Sequence, residues 1–256
     1  MINSIIRRLT ALPIYPHWLE FYKREQGNNI TLRNLKGKII EVGAGNGFMK
    51  YDLLSRYKGI NEYISTDCST WDPEFERIDT KAKKFWGLSG AFFKVRPRLP
   101  IDKKCNAMDL PYKDNTFDYH LSFEVLEHID KPYIFFKEAY RVLKRGGYMI
   151  LSVPFLYRVH HSDYFRYTYN FFNRISKENN LKLLKIYSNT GFGTTFASLT
   201  NQWLILCILK SNIAVKIILL LLSPFIFFFT NTVGFLIDLK PDKNFSTRFH
   251  VIMKKL

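Results

Sequence analysis

The sequence predicts an α/β fold in which helices cover both faces of a mostly parallel sheet. Apolar segments with strand character alternate along the chain with segments whose apolar residues recur at helical spacing, and that alternation is typical of parallel sheets. A glycine-rich turn after the first predicted strand indicates a sharp passage from strand to helix. With 256 residues, 47% of them hydrophobic, the chain is long enough to bury the core of one domain with elaborations.

The glycine-rich turn lies in residues 38–49, KIIEVGAGNGFM. Ile39, Ile40 and Val42 predict the end of a buried parallel strand, and a helix is expected over residues 48–57. The first N–H groups of that helix would face a ligand in the turn, which suits a nucleoside-containing cofactor. A tight turn without a ligand is the alternative. The residues that we assign to cofactor binding here are Glu41, Gly43, Ala44, Gly45 and Gly47.

An acidic residue ends the second predicted strand, residues 62–67. Asp67 lies about twenty residues past the glycines, where a carboxylate can accept hydrogen bonds from ribose hydroxyls. A helix cap or turn residue is the alternative. Cys68 is placed in the same site. Residues 70–100 receive no assignment, and residues 101–110 are expected to form a third strand and its exit.

A second motif occupies residues 106–129, NAMDLPYKDNTFDYHLSFEVLEHI. With the glycine turn, it resembles class I S-adenosylmethionine-dependent methyltransferases of the type 11-like group. In their pattern a polar residue and Ala precede Leu-Pro-aromatic, Phe-Asp opens the fourth strand, and Leu-Glu-His-Ile follows it. The resemblance covers about residues 37–190 and the last strand. It implies a Rossmann-like seven-stranded methyltransferase sheet with an antiparallel last strand, and S-adenosyl-L-methionine as the cofactor.

The resemblance also implies where the cofactor lies. Asn106 and Ala107 would lie against the adenine, with the amide oxygen of Asn106 in place of the usual carboxylate. Ligands of such sheets bind beyond the carboxyl ends of the strands. We therefore expect the glycine turn, Asp67, Asn106 and Ser122 to meet in one cleft.

Histidines provide the candidates for proton transfer, because histidine titrates near neutral pH. His128 follows the fourth strand; capping the helix predicted to begin near Pro132 is its structural alternative. His160, His161 and Asp163 form a second candidate group after the fifth strand. A metal site is disfavoured there, because the histidines are adjacent and only one acid accompanies them.

The run Asp163-Tyr-Phe-Arg-Tyr-Thr168 is expected to recognise the substrate. Tyr164, Arg166 and Tyr167 are the assigned residues, and Arg166 would bind phosphate or carboxylate with two hydrogen bonds. The alternative is a structural loop in which Asp163 and Arg166 pair. The run resembles a subset of these methyltransferases associated with cell-surface polysaccharide clusters, which implies a sugar, glycan or lipid-linked acceptor.

The remaining elements follow from periodicity and caps. Helices are expected over residues 131–143 and, capped by Thr168, over residues 169–177. Strands are expected over residues 148–153 and 181–188. A last strand is expected over residues 247–253, and the resemblance implies that it pairs antiparallel with the sixth.

Four regions are predicted along the chain: an N-terminal helical lid (1–36), the S-adenosylmethionine-binding domain (37–190), an apolar helical insertion (191–244) and the last strand (245–256). In the lid, apolar residues 2–9 have helical spacing, a second helix begins after Pro16, and Tyr15 and Trp18 are candidates for lining the pocket.

The insertion is apolar enough to be a membrane candidate. Pro224 is expected to break it into two arms, each too short to cross a bilayer. We therefore expect a helical hairpin in or near the membrane interface. The alternative is that residues 203–237 pack against the domain or a second subunit.

Charge and cysteine content limit the functional classes. The net charge of +16 favours a polyanionic partner, such as nucleic acid, an anionic membrane surface or a phosphorylated substrate. No RNA-binding module is visible, so nucleic acid is disfavoured. The three cysteines are widely spaced and fit a reducing cytoplasm, and no signal peptide is recognised.

The resulting hypothesis is a methyltransferase that O-methylates a sugar or lipid-linked glycan. It would be cytoplasmic, and peripheral to or monotopic in the inner face of the cell membrane. A soluble small-molecule or quinone methyltransferase and a non-catalytic membrane-attached scaffold are the alternatives. The oligomeric state is left open.

Overall fold

The computed structural model describes residues 12–45, 47–68, 100–159 and 163–256. Its centre is a seven-stranded sheet with the order β3-β2-β1-β4-β5-β7-β6. The strands are β1 (Gly37–Val42), β2 (Ile60–Asp67), β3 (Lys103–Lys104), β4 (Phe117–Phe123), β5 (Leu143–Pro154), β6 (Leu181–Tyr187) and β7 (Arg248–Lys255). Strands β1 to β5 pair in parallel, and β7 lies antiparallel between β5 and β6. The predicted fold class is confirmed.

Six helices of the described chain surround this sheet. They are α1 (Trp18–Thr31), α2 (Phe48–Arg56), α3 (Pro132–Val142), α4 (Tyr169–Glu178), α5 (Phe192–Lys210) and α6 (Ile213–Ile237). Single 3-10 turns occur at Leu126–His128 and Lys243–Phe245. The helix predicted within residues 2–9 and the unassigned segment 70–100, except for its last residue, lie outside the described residues.

Each face of the sheet has its own apolar core. On one face, α3 and α4 pack aromatic side chains, among them Phe135, Phe136 and Phe172, against β4, β5 and β7. On the other face, Leu53 of α2 packs with Leu32 and the outward residues of β1. Burying one such side chain fully contributes roughly 1.5–3 kcal/mol. The two cores therefore hold the helices on the sheet, and with them the loops at the carboxyl ends of the strands.

The prediction of a third strand and its exit within residues 101–110 is confirmed, although the strand is limited to Lys103–Lys104. The side chain of Asp102, just before it, accepts hydrogen bonds from the backbone N–H and the hydroxyl of Ser65. One local prediction was wrong. Thr168 does occupy the N-cap position of α4, but its side chain makes no capping hydrogen bond.

The insertion forms a hairpin of two long helices, α5 and α6, which turns at Ser211 and Asn212 rather than at Pro224. The side chain of Asn212 accepts a hydrogen bond from the Val215 N–H and caps α6. Pro224 lies inside α6 without ending it. A proline leaves the carbonyl four residues earlier without its helical donor, and the hydroxyl of Ser223 donates to that carbonyl, on Leu220, at 2.9 Å.

The prediction of two short arms is therefore wrong as well. Both α5 and α6 are long and apolar enough to cross a membrane by length and composition. Half of the most apolar stretch of α5 is buried within the protein, but only 17% of that of α6 is.

Helix α1 lies between the sheet and the hairpin. Its Gly27 touches His250 of β7 so closely that an added Cβ would lie 2.5 Å from the imidazole Nε2. Trp18, a candidate for lining the pocket, instead stacks on Tyr22 and packs against Phe235 of α6 at 6.2 Å between ring centroids. Helix α1 thus connects the hairpin to β7 of the sheet.

Candidate active site

The turn after β1 is shaped by close packing and by its hydrogen bonds. Gly43 and Gly45 both have positive φ, 76° and 57°. A Cβ added to Gly43 would lie 2.2 Å from Val125 Cγ2, whereas one added to Gly45 would meet no atom of the described residues within 4 Å. The N–H groups of Gly43 and Ala44 both donate to the Thr66 carbonyl at 2.9 Å. The turn is therefore anchored to β2, and open space remains in front of Gly45.

A buried carboxyl group lies beneath this turn. Glu41 is 4% exposed and accepts a hydrogen bond from the Tyr63 hydroxyl at 2.9 Å. Burial raises the pKa of Glu41 to about 8, although the Tyr63 hydrogen bond opposes that shift. Glu41 is thus a supporting residue that is largely neutral at pH 7.

Asp67 stands at the carboxyl end of β2, as predicted, and is directly connected to the glycine turn. Its Oδ2 accepts a hydrogen bond from the Gly45 N–H at 2.6 Å. Cys68, the next residue, is exposed. A half-buried carboxylate beside open space has the acceptor capacity that a ribose diol requires.

The loop that carries Asn106 and Ala107 follows β3 on the same edge. Asn106 is exposed, and its Oδ1 accepts a hydrogen bond from the Met108 N–H at 2.9 Å. The amide oxygen is therefore used within its own loop in this structure. Its contact with adenine stays a prediction.

These residues fit S-adenosylmethionine. Asp67 supplies acceptors, Gly45 borders open space, and the buried hydroxyl of Ser122 has no hydrogen-bond partner among the described residues. The structure brings the glycine turn and Asp67 into contact and places Asn106 and Ser122 at the carboxyl edge of the sheet.

A histidine–carboxylate pair lies after β4. Nδ1 of His128 is 3.2 Å from Oδ1 of Asp163, whose side chain is only 3% exposed. Nη2 of Arg166 donates to Oδ2 of the same carboxylate at 2.7 Å. A carboxylate that holds an imidazole in place is the arrangement expected of an oriented general base. His160 and His161 lie outside the described residues.

The three residues predicted to bind substrate differ in their exposure and contacts. Tyr164 is 63% exposed. Arg166 makes the ion pair that we gave as its structural alternative. Tyr167 is buried in the core, and its hydroxyl donates to the Leu126 carbonyl at 2.9 Å, so the expectation that it binds substrate was wrong. The Tyr167 ring packs against Phe171 and Phe172 of α4, and this environment is typical of the core rather than of a cleft.

Sequence reasoning missed a buried charge network beside this pair. Arg248, the first residue of β7, donates to Glu20 of α1 at 2.5 Å and lies 3.4 Å from Glu124, which follows β4. The Tyr157 hydroxyl donates to the other oxygen of Glu20 at 3.0 Å. Burial favours a raised pKa for Glu20, but a hydrogen bond from His17 and the charge of Arg248 outweigh it and lower the pKa to about 2.

Glu127 is the second missed residue. It is 3% exposed, and its Oε2 has no hydrogen-bond partner in the described part of the chain. Burial, together with the charge of Glu124, raises the pKa of Glu127 to about 9. Two acids three residues apart after a strand are the signal in the sequence that could have found Glu124 and Glu127.

No group of three or more His, Cys, Asp or Glu side chains is arranged to hold a metal ion within residues 12–45, 47–68, 100–159 and 163–256.

Residues 40–151 match the methyltransferase domain family. This part of the chain is similar to a methyltransferase domain. The match runs from the middle of β1 to near the end of β5 and includes the predicted cofactor residues, and it ends before the Asp163–Arg166 loop, the hairpin and β7.

Known proteins share this domain at low identity. The chain is 28% identical over 138 residues to 2-methyl-6-phytyl-1,4-hydroquinone methyltransferase 1, chloroplastic, of Oryza sativa subsp. japonica, an alignment that covers 54% of this chain and 37% of the relative. The chain thus spans about a third of the length of the first curated relatives that it matches, which are two such rice enzymes at 37% and 35%.

Solved structures share the fold. A putative sarcosine dimethylglycine methyltransferase from Galdieria sulphuraria aligns over 94% of this chain and 84% of its own, with a TM-score of 0.51 and 15% identity. The Haemonchus contortus phosphoethanolamine N-methyltransferase 2, in complex with S-adenosyl-L-methionine, aligns over 100% of this chain and 60% of its own, with a TM-score of 0.51 and 12% identity. At these identities the likeness concerns the fold.

Proposed function

We propose that this protein transfers a methyl group from S-adenosylmethionine to a hydroxyl group of a sugar or lipid-linked glycan at a membrane surface. The cofactor supplies a methyl group that its sulfonium centre activates. The observation that supports the proposal is a group of largely buried polar side chains at the carboxyl edge of the sheet, the edge that also carries the cofactor turn; we call this group the acceptor side. Its members are Glu20, Glu124, Glu127, Tyr157, Asp163 and Arg248.

This lining suits a polyhydroxylated acceptor. Carboxylates accept hydrogen bonds from sugar hydroxyls, and arginines donate to ring and phosphate oxygens. The Nε atom of Arg248 is buried without a hydrogen-bond partner among the described residues, as is Oε2 of Glu127. Buried polar atoms of this kind are costly unless a ligand or water pairs with them, which supports a polar acceptor.

In this proposal His128 removes the proton of the acceptor hydroxyl. Asp163, whose Oδ1 lies 3.2 Å from the imidazole Nδ1, would orient the ring, and general-base assistance typically contributes about 10²- to 10⁴-fold to a rate. The rest of the acceleration comes from aligning the oxygen with the methyl group.

The membrane location rests on charge and on the hairpin. A net charge of +16 favours an anionic surface, and α6 exposes an apolar face. The chain passes from the end of the hairpin at Ile237 to Arg248, the first residue of β7. A hairpin bound to a membrane would therefore keep Arg248 and its neighbours close to an acceptor that is carried on a lipid.

A quinol or other small aromatic molecule is the second candidate acceptor. It is favoured by the rice relative, which is named as a hydroquinone methyltransferase. The two candidates differ in polarity, because a quinol ring has few groups that would pair with the buried charges.

The test is transfer of labelled methyl from S-adenosylmethionine to a membrane extract, followed by partition between organic and aqueous phases and mild acid hydrolysis. Label that enters the organic phase and becomes water-soluble after hydrolysis supports a lipid-linked glycan. Label that stays organic favours a quinol or lipid, and label that is aqueous from the start favours a soluble metabolite; either overturns the lipid-linked acceptor. Asp67→Ala is the negative control. Absence of both cofactor binding and transfer in the wild type would favour the non-catalytic scaffold.

A further inference from the structure

The helical hairpin α5–α6 buries polar side chains near its base, besides an apolar cluster of Leu204, Ile208 and Phe227, and is apolar outside. In its interior, the hydroxyl of Thr230 donates to the amide oxygen of Asn201 at 2.6 Å, and the amide of Asn201 donates to the Pro16 carbonyl at 2.7 Å. Asn231 donates to the Tyr15 carbonyl at 2.8 Å. Helices of water-soluble proteins ordinarily bury their apolar face and expose their polar one, so this arrangement is reversed.

The outer surface of α6 carries twelve exposed large apolar side chains. They are Ile213, Val215, Ile217, Ile218, Leu220, Leu221, Leu222, Phe225, Phe228, Phe229, Leu236 and Ile237, with exposed fractions from 42% to 75%. Such a surface on a soluble monomer indicates an interaction site.

The width of this surface identifies its partner. Leu220, Leu221 and Leu222 are all exposed, and consecutive residues of an α-helix lie about 100° apart around its axis. A second protein helix would cover a narrow stripe. Lipid acyl chains surround a helix and cover a wide arc.

Charges flank the apolar stretch at both ends. Lys210 and Lys216 lie at the apex of the hairpin, and Lys240 and Lys243 follow its base. Residues 217–237 carry no charge. At about 1.5 Å per residue, the 25 residues of α6 exceed the ~30 Å of a hydrocarbon core. The lysines at the apex and those after the base are therefore far enough apart to contact the anionic headgroups of the two opposite leaflets.

Close contact between the two helices also resembles membrane packing. A Cβ added to Gly193 would lie 2.1 Å from the Gly234 carbonyl oxygen, and small residues at such crossings are typical of membrane helix pairs. Trp18 and Tyr22 pack on Phe235 at the base of the hairpin, the level at which aromatic rings meet headgroups.

We propose that the hairpin α5–α6 inserts into a lipid bilayer apex first, with the outer face of α6 against acyl chains and the cleft at the headgroup surface. This inference rests on the proposed function for the purpose of the anchor, and on the hairpin alone for its existence.

Vesicle flotation of the full-length chain tests the insertion. The vesicles contain phosphatidylethanolamine and phosphatidylglycerol, and bound protein is washed with 0.5 M NaCl and then with carbonate at pH 11. The variant Leu221→Glu/Phe225→Glu/Phe229→Glu places three charges on the outer face. The matched control, Tyr133→Glu/Leu184→Glu/Leu256→Glu, places three charges on exposed apolar residues elsewhere.

We expect wild type and control to float after both washes, and the vesicle-bound fraction of the hairpin variant to fall at least tenfold. Release of the wild type by either wash, or flotation of the hairpin variant at the wild-type level, overturns the insertion. So does a wild-type dimer in detergent-free buffer that the hairpin variant converts to a monomer without any flotation, because a second copy would then cover this face.

Calorimetric titration of S-adenosylmethionine separates the two proposals. Flotation without cofactor binding keeps the anchor and removes the enzymatic function. Cofactor binding without flotation does the reverse.

Discussion

The two halves of this protein are built in different ways. The cofactor half, β1 to β5, holds its site with backbone geometry: three N–H groups of one turn are fixed on β2 and Asp67. The half that we propose for the acceptor, called the acceptor half below, gathers side chains from α1, from loops after β4 and β5 and from β7, and buried charges pair there. The comparison teaches that the cofactor turn depends on local structure, whereas the acceptor half depends on side chains that only the complete fold brings together.

Replacing the candidate base is expected to have the largest effect. His128→Asn should lower the rate of methyl transfer by roughly 10²- to 10⁴-fold, while calorimetry should show unchanged cofactor affinity, because the histidine belongs to the acceptor half. Tyr133→Phe, at an exposed residue without a predicted role in the site, is the matched control. A His128→Asn variant with wild-type rate would remove the histidine from the mechanism.

Breaking the charge network tests whether buried charge holds the acceptor half. Arg248→Met would leave Glu20 and Glu124 without their cation. We expect the free energy of unfolding in urea to fall by about 3–5 kcal/mol. The double variant Arg248→Met/Glu20→Gln should recover part of that loss, and additive effects of the two substitutions would contradict direct coupling.

Two alanine substitutions in the glycine turn sharpen the account of the cofactor half. Gly43→Ala brings its Cβ against the stiff Val125 side chain at a positive φ, and should cost roughly 3 kcal/mol of stability together with cofactor binding. Gly45→Ala has the same backbone strain but meets open space. It should cost about 1–2 kcal/mol. Equal losses in urea unfolding would exclude the contact with Val125 as the cause.

The smallest effect concerns pH. Because the pKa of Glu127 is raised to about 9 in the folded state, the unfolded chain gives up this proton near its ordinary value of about 4.3 while the native protein keeps it. Glu127 therefore lowers stability as pH rises from about 4.3 towards 9. One pH unit corresponds to about 1.4 kcal/mol for one proton, so Glu127→Gln should gain about 2.7 kcal/mol relative to wild type between pH 6 and pH 8, as measured by urea unfolding at each pH. A constant difference would mean that Glu127 is ionised in the fold.

The sequence allowed the strands and the glycine turn of the cofactor half to be predicted, because their signals are local. The glycines, Asp67 and the strand-helix alternation each depend on a few consecutive residues. The position of Asn106 was predicted by resemblance, but the orientation of its amide was not, since that depends on the Met108 N–H.

The acceptor half was predicted only in fragments. Glu20 and Arg248 are 228 residues apart, and no periodicity connects them. For Arg166 the residue spacing did not distinguish an ion pair with Asp163, which the structure contains, from binding of a substrate anion. Tyr167 was assigned to substrate because its neighbours are polar, yet its ring belongs to the core.

The hairpin shows a further limit of reading residues singly. Pro224 indicates a break in isolation, but the adjacent hydroxyl of Ser223 supplies the missing donor to Leu220. Proline removes one helical hydrogen bond, but a hydroxyl group on the preceding residue can replace the missing donor and let the helix continue.

Asp238, at the C-terminus of α6, gives the hairpin a fixed bearing on the rest of the protein. Its buried carboxylate accepts hydrogen bonds from the N–H groups of Gly191, Gly193 and Thr194 at the start of α5, so both helices end on one residue. The carbonyl of Asp238 in turn accepts from Lys23 of α1 at 3.1 Å. If the hairpin inserts as we propose, this hydrogen-bonded junction would hold the reacting centre at a fixed distance from the membrane plane. Only an acceptor hydroxyl that its carrier presents at that distance would then be methylated.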